Sequence, residues 1–193
     1  MECSEHGERP MSHPDDSQRV ATAYHEAGHA VVRYLLAFEP KSITISPTCN
    51  AQSAAKYGDP LHGIKLDTDG SARARLRLEK AIRISYAGPL AEKKYSVHWR
   101  VSNGAYDFGR IEELGLIACD GSSTQAKLFL HWLEVATQEM VDAHWAAIER
   151  VAKRLLVHDR LAGAHISAVM RGAYSAESSN SEHRPRRFTL PKA

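Results

Sequence analysis

The chain has 193 residues, 43% of them hydrophobic and 25% charged, with a formal net charge of +2. That balance belongs to an ordinary globular domain with a sizeable core, and so small a net charge names no nucleic acid or other polyanion as a partner. Cys3, Cys49 and Cys119 are far apart and form no CxxC pair, which argues against a disulfide framework or a cysteine zinc knuckle and favours a reducing, cytoplasmic compartment.

Residues 1–16 (MECSEHGERPMSHPDD) lack the apolar run of a secretory signal and read as a disordered leader. Residues 17–38 read as one helix, with Asp15, Asp16 and Ser17 as candidate caps and Pro40 beyond its end. Its most apolar run, AVVRYLLAF, is short and interrupted by Arg33, so no membrane insertion is expected. Residues 42–46 (SITIS) and 62–66 (HGIKL) read as two short strands separated by a small-residue loop. A second helix is predicted over 71–94, with Gly88-Pro89 as a potential kink. Helical character resumes near Tyr106, and over 122–158 apolar residues recur at helical spacing, as one long helix or a hairpin. Residues 163–171 form a last short helix, and the polar, basic stretch 173–193 reads as a disordered tail. The expected fold is therefore one domain over 17–172, mainly α, with a small two- or three-stranded sheet.

The first helix carries the segment His25-Glu26-Ala27-Gly28-His29. Residues four apart on a helix lie about 400° around and about 6 Å along the axis, so both imidazoles project from one side and can chelate one ion. Zinc takes imidazole nitrogen and, in catalytic sites, keeps one position open for water. Glu26, about 100° around the helix, flanks such an ion and is the candidate general base. An HExxH match also arises by chance. Here it falls inside an amphipathic pattern that Val32 and Leu36 continue, which favours a metal site over two incidental histidines. Gly28 inside a helix costs about 1 kcal/mol relative to alanine, which marks close approach by another element.

Two histidines leave a catalytic zinc one protein ligand short. Glu92, His98, Asp107 and Asp120 are chemically able to complete it. Asp107 follows a Ser102-Asn103-Gly104 turn and falls in the first turn of the next helix, a place where a carboxylate also serves simply as a cap. Spacing leaves these alternatives open.

AYHEAGHAVV resembles the motif helix in the peptidase domain of the FtsH-type ATP-dependent zinc metalloproteases, and other segments agree in order. ITISP and HGIKL resemble the two strands that follow that helix, SYAGPLAEKKY the helix near the metal, and NGAYDFGRIEEL the Gly-Ala-x-x-Asp segment. The likeness runs over roughly residues 18–172. It implies a zincin-like helical peptidase domain with His25, His29 and Asp107 as zinc ligands and Glu26 as the catalytic glutamate. Two departures stand out. Pro89 occupies the place of the family's arginine, and the membrane anchor and ATPase module of family members have no counterpart, with no GxxxxGK[ST] in the sequence. The implied substrates are accordingly unfolded or flexible polypeptide segments, with a separate ATPase or unfoldase as a possible partner and oligomerisation left open.

Were 62–66 an exposed edge strand, Gly63 and Ile64 would bind substrate by strand addition; a glycine there is more often a bulge or turn. HRPRR near the C-terminus is more simply a solvated basic run than a nucleic-acid site. Trp99, Trp132 and Trp145 are more simply core than a peptide groove. His131, His144, His158 and His165 are expected outside the site. The reading is a zinc metalloendopeptidase. Its rivals are a regulatory peptidase that cuts one partner protein, and a zinc-stabilised interaction module without turnover.

Overall fold

The computed structural model describes residues 16–40, 42–45, 59–65, 69–96 and 104–177. Six helices and two short strands follow one another among them: α1 Asp16–Leu35, β1 Ser42–Thr44, α2 Ala72–Tyr95, α3 Ala105–Ala118, α4 Ser123–Ala143, α5 Trp145–His158, β2 Arg160–Ala162 and α6 Gly163–Glu177. The chain is thus mainly helical with a small sheet, as its periodicity indicates. Serine hydroxyls start two of the helices. Ser71 Oγ accepts from the Ala74 amide at 3.1 Å ahead of α2, and Ser122 Oγ accepts from the Gln125 amide at 3.4 Å ahead of α4, relieving amides that have no partner within the helix.

α1 is the central element, packed between α2 on one side and α5 on the other. Ala23, Ala27, Ala30, Val31 and Val32 are wholly buried. Where α1 meets α2 the contact is made by small residues. A Cβ on Gly28 would lie 2.4 Å from the Ala87 carbonyl oxygen and 2.7 Å from the Ala91 Cβ, so the glycine in the motif does mark a close approach. On the α5 side the contact is made by aliphatic side chains, including the fully buried Ile148, Val151 and Leu155. Arg19 ties the start of α1 to the end of α5, donating to the Leu156 carbonyl at 2.9 Å and pairing with Asp159.

The sheet differs from the expected one. β1 pairs antiparallel with β2, with Ser42 opposite Ala162, Ile43 opposite Leu161 and Thr44 opposite Arg160. Residues 62–65, the described part of the predicted second strand, do not supply the partner. Residues 60–63 form a turn in which the His62 amide donates to the Asp59 carbonyl and the Ile64 amide to that of Leu61, at 3.0 and 2.9 Å. Gly63 has a φ of +77°, which reverses the chain where a strand would continue it. β2 is three residues of Arg, Leu and Ala, with no β-branched alternation to announce it.

Two further expectations are sharpened and a third is overturned for Trp132. α2 runs unbroken through Gly88 and Pro89. The 122–158 stretch divides at His144 into α4 and α5. Trp132, read as core, is 56% exposed, whereas Trp145 stacks on the buried Tyr24 with ring centroids 5.5 Å apart. Trp99, His98, the leader before residue 16, the loop at 46–58 and the tail after 177 lie outside the described residues. No helix among the described residues is long and apolar enough to cross a membrane.

α1 ends three residues before the predicted Phe38, and its last turn shows why. The Phe38 amide donates to the Arg33 carbonyl and the Ala37 amide to that of Tyr34, the paired bonds of a Schellman cap, with exposed Ala37 at φ +64° in the left-handed position that glycine usually fills. A left-handed residue with a Cβ costs about 1–2 kcal/mol, partly offset by the extra freedom glycine has when unfolded. Ala37→Gly should therefore raise stability by about 0.5–1 kcal/mol; urea denaturation showing a loss instead would contradict the cap geometry.

Candidate metal centre

His25 and His29 lie on successive turns of α1, with their ring centroids 4.7 Å apart and planes at 78°. Each ring is held by a hydrogen bond at its Nδ1. His25 Nδ1 donates to Glu92 Oε2 at 2.8 Å, and His29 Nδ1 donates to the main-chain carbonyl of Ile84 at 2.7 Å. Both partners come from α2. The carbonyl can only accept, so His29 carries its proton on Nδ1 and presents a lone pair from Nε2. The Glu92 carboxylate orients His25 in the same sense. The small-residue seam places Gly88 directly beneath His29, where a Cβ would sit 2.3 Å from Nε2.

Asp107 reaches the same point from the first turn of α3. The start of that helix abuts α2, because a Cβ on Gly104 would lie 2.9 Å from Pro89 Cγ. The two Nε2 atoms are 3.0 Å apart. Asp107 Oδ2 is 3.1 Å from His25 Nε2, and Oδ1 is 3.5 Å from His29 Nε2. Ligands at about 2.0–2.1 Å from a tetrahedral zinc are separated by about 3.3–3.4 Å, so this spacing fits the ion. The donor types fit as well: two imidazole nitrogens with their other nitrogens anchored, and one carboxylate. Among the described residues this is the set of three whose donor atoms converge in this way. Glu92, open as a third ligand on spacing alone, instead braces His25, a role that spacing does not reveal.

The electrostatics are those of opposite charges forced together. Burial by itself would lower the His25 pKa, but hydrogen bonding to Asp107 and Glu92 outweighs it and raises the value to about 10. Burial would raise the Asp107 carboxyl, yet the His29 and His25 rings hold it well below the ordinary carboxylate range. For Glu26 burial prevails and lifts the carboxyl above its usual range, against the opposing pull of His29 and His25. Glu26 Oε2 is buried and makes no hydrogen bond with the described residues.

A cleft of about 320 Å³ opens beside the centre, lined by His29 and Asp107 together with Arg33, Asp59, Tyr106 and Arg110, among others. Gly63 and Ile64, the expected substrate-binding pair, are not among its lining residues. The Ile64 amide is already committed within the 59–64 turn, so the structure offers no edge strand there. Asp59 and Pro60, earlier in that segment, do line the cleft, a placement that no local signal announces. Asp120, another open candidate ligand, follows the end of α3, exposed and at φ +49°, and does not join the cluster. No family model and no curated protein matches the chain.

Two predictions follow from this geometry. A metal taken by His25 must displace the proton that Asp107 and Glu92 hold there up to about pH 10. Zinc affinity should accordingly rise about tenfold per pH unit between pH 6 and 8; competitive titration giving a flat profile would contradict it. In the metal-free protein the sign is reversed. The proton's contribution to stability is complete below the ordinary value of 6.5 and is lost as pH climbs toward 10. Gly88→Ala, which sets a methyl group against His29 Nε2, should weaken zinc binding by at least about tenfold; unchanged affinity in the same titration would show that the α1–α2 spacing does not govern the site.

Proposed function

We propose that the chain is a zinc metalloendopeptidase with a zincin-like domain of the FtsH type, hydrolysing peptide bonds in unfolded or flexible polypeptide segments. The observation that carries this reading is the convergence of His25 Nε2, His29 Nε2 and an Asp107 oxygen beside Glu26, a carboxylate with one buried oxygen and no hydrogen-bond partner for it among the described residues. The quoted motif segments support the same assignment.

His25, His29 and Asp107 would hold the ion, while Glu92 and the Ile84 carbonyl fix the tautomers and angles of the two rings. Zinc, when bound, supplies Lewis acidity toward a scissile carbonyl and an attacking water. Glu26 would serve as the base that accepts a proton from an attacking water and as the acid that passes it to the leaving amine. Its burial suits both halves of the task, since a carboxyl raised above the ordinary range is a better proton acceptor and a readier donor near neutral pH. The cleft has room for a stretch of extended chain rather than a folded domain, and so favours flexible segments. A cytoplasmic location and delivery of substrates by a separate ATPase or unfoldase are consistent parts of the proposal.

Glu26→Gln preserves shape and removes the base. It should retain one zinc per chain while lowering cleavage of an unfolded substrate such as casein by about 10²–10⁴-fold, measured by elemental analysis beside a fluorogenic assay. Undiminished cleavage would end the assignment. Zinc bound equally by both proteins, with no hydrolysis of any substrate by the native chain, would point to a non-catalytic interaction module. Cleavage of a single partner with none of casein would point to a dedicated regulatory peptidase.

A further inference from the structure

Ala81, Ile84 and Ser85 recur at helical spacing on α2, so that one face of this helix lines the cleft beside His29 and Asp107. All three are buried, Ser85 to 6% exposure. Ser85 follows directly on Ile84, whose carbonyl accepts from His29 Nδ1, and it alone of the three brings a polar side chain. Serine is an unusual choice on the buried face of a helix, because its hydroxyl must find a partner once it leaves water. Helices often supply that partner themselves, from the carbonyl one turn back. Thr137, buried in α4, donates to the Leu133 carbonyl at 2.7 Å, and Thr22 in α1 donates to that of Gln18 at 2.9 Å.

Ser85 does not follow them. Its hydroxyl makes no hydrogen bond with the Ala81 carbonyl or with any other group among the described residues. The oxygen is not sealed in either. The described side-chain atoms that are occluded without a partner belong to Glu26, Arg83 and Arg150; Ser85 Oγ keeps contact with open space, and the open space its residue lines is the cleft. Orphaned donors are rarer in protein interiors than underused acceptor lone pairs, so the group that completes Ser85 is an acceptor entering the cleft. A carbonyl of an extended polypeptide is such a group, and a strand laid along α2 presents one to the same side at every second residue. Ala81 and Ile84 offer that strand no side-chain hydrogen bond, and the main-chain amides of this part of α2 are committed within the helix.

We propose that Ser85 is a substrate-binding residue of the peptidase, its hydroxyl donating to the main-chain carbonyl of a peptide bond adjoining the one that is cut. The inference rests on the peptidase reading and deepens it by naming a residue that holds the polypeptide. The bond satisfies both sides at once: Ser85 gains the acceptor it lacks, and a substrate carbonyl desolvated against Ala81 and Ile84 gains a donor. Because the partner is main chain, the contact fixes the register of the substrate beside His29 and Asp107 without selecting a side chain. Ser85 thereby differs from Glu92 and the Ile84 carbonyl, which act through the histidine rings.

The test compares the zinc-loaded full chain with Ser85→Ala and Ser85→Cys. Alanine suits a helix better than serine, and cysteine keeps a similar shape with a weaker donor, so both variants should fold. Each should bind one zinc per chain with unchanged affinity and lower kcat/KM for an unfolded peptide by about tenfold. A labelled peptide should also bind about tenfold more weakly to the zinc-loaded Glu26→Gln/Ser85→Ala chain than to Glu26→Gln, measured by fluorescence anisotropy. Two further peptides carry a trans-alkene in place of the peptide bond before or after the scissile one, which keeps the shape and removes the carbonyl. One of these replacements should cost the native chain about tenfold and cost Ser85→Ala almost nothing more. Unchanged kinetics and peptide affinity in Ser85→Ala, loss of zinc from that variant, or equal losses from each alkene in native and variant chains would overturn the role of Ser85 while leaving the peptidase intact. Failure of the native chain to cut any peptide would overturn both.

Discussion

The structure depends on how closely α1 and α2 approach. Gly28 leaves no room for even a methyl group against the Ala87 carbonyl, and Gly88 leaves none against the imidazole of His29. Ala27, Ala87 and Ala91, all without exposed surface, fill the rest of the seam. With larger residues the helices would stand farther apart, and two things would be lost together. The Ile84 carbonyl and the Glu92 carboxylate would no longer reach the Nδ1 atoms, and the start of α3, seated on Pro89 through Gly104, would carry Asp107 away from the Nε2 atoms. The small residues therefore act on the chemistry through distance. They contribute little apolar area themselves, and the aliphatic contact of α1 with α5 supplies the burial that holds the pair in place.

That closeness has an electrostatic consequence. Two imidazoles and the carboxylates of Asp107, Glu92 and Glu26 share one partly buried region, and both Nε2 lone pairs point at the same spot 3.0 Å from each other. Lone pairs so placed repel unless a positive charge lies between them. A proton on His25 answers part of the demand; burial opposes it, but the hydrogen bonds to Asp107 and Glu92 hold it there far above the ordinary histidine range. A divalent cation would answer it more completely, because it would take all three donors at once and leave the Nδ1 hydrogen bonds intact. Glu26 stands apart from this balance: its carboxyl is raised by burial, and one of its oxygens is unengaged among the described residues.

Much of this was legible in the residues. The 3.6-residue periodicity located the helices, the i, i+4 histidines announced a shared face, and a glycine inside a helical pattern signalled close packing. The choice of Asp107 among four candidate ligands was not accessible to spacing, because it depends on how α3 docks against Pro89; only the resemblance in NGAYDFGRIEEL singled it out. The error over 62–66 has a local cause. HGIKL alternates like a strand, but Gly63 takes a left-handed conformation and the Asp59 and Leu61 carbonyls capture the amides a strand would offer outward. β2 escaped notice because three residues paired across more than a hundred positions of sequence leave no periodic trace.

The central claim is that His25, His29 and Asp107 hold one zinc ion. The most direct measurement is the zinc K-edge absorption spectrum of the loaded protein, taken with its metal stoichiometry beside that of Asp107→Ala. One zinc per chain, with nitrogen and oxygen neighbours at about 2.0–2.1 Å, outer-shell scattering from two imidazoles, and loss of the ion in Asp107→Ala is the expected result. Sulfur in the first coordination sphere, or full zinc content in the Asp107 variant with an unchanged spectrum, would contradict it.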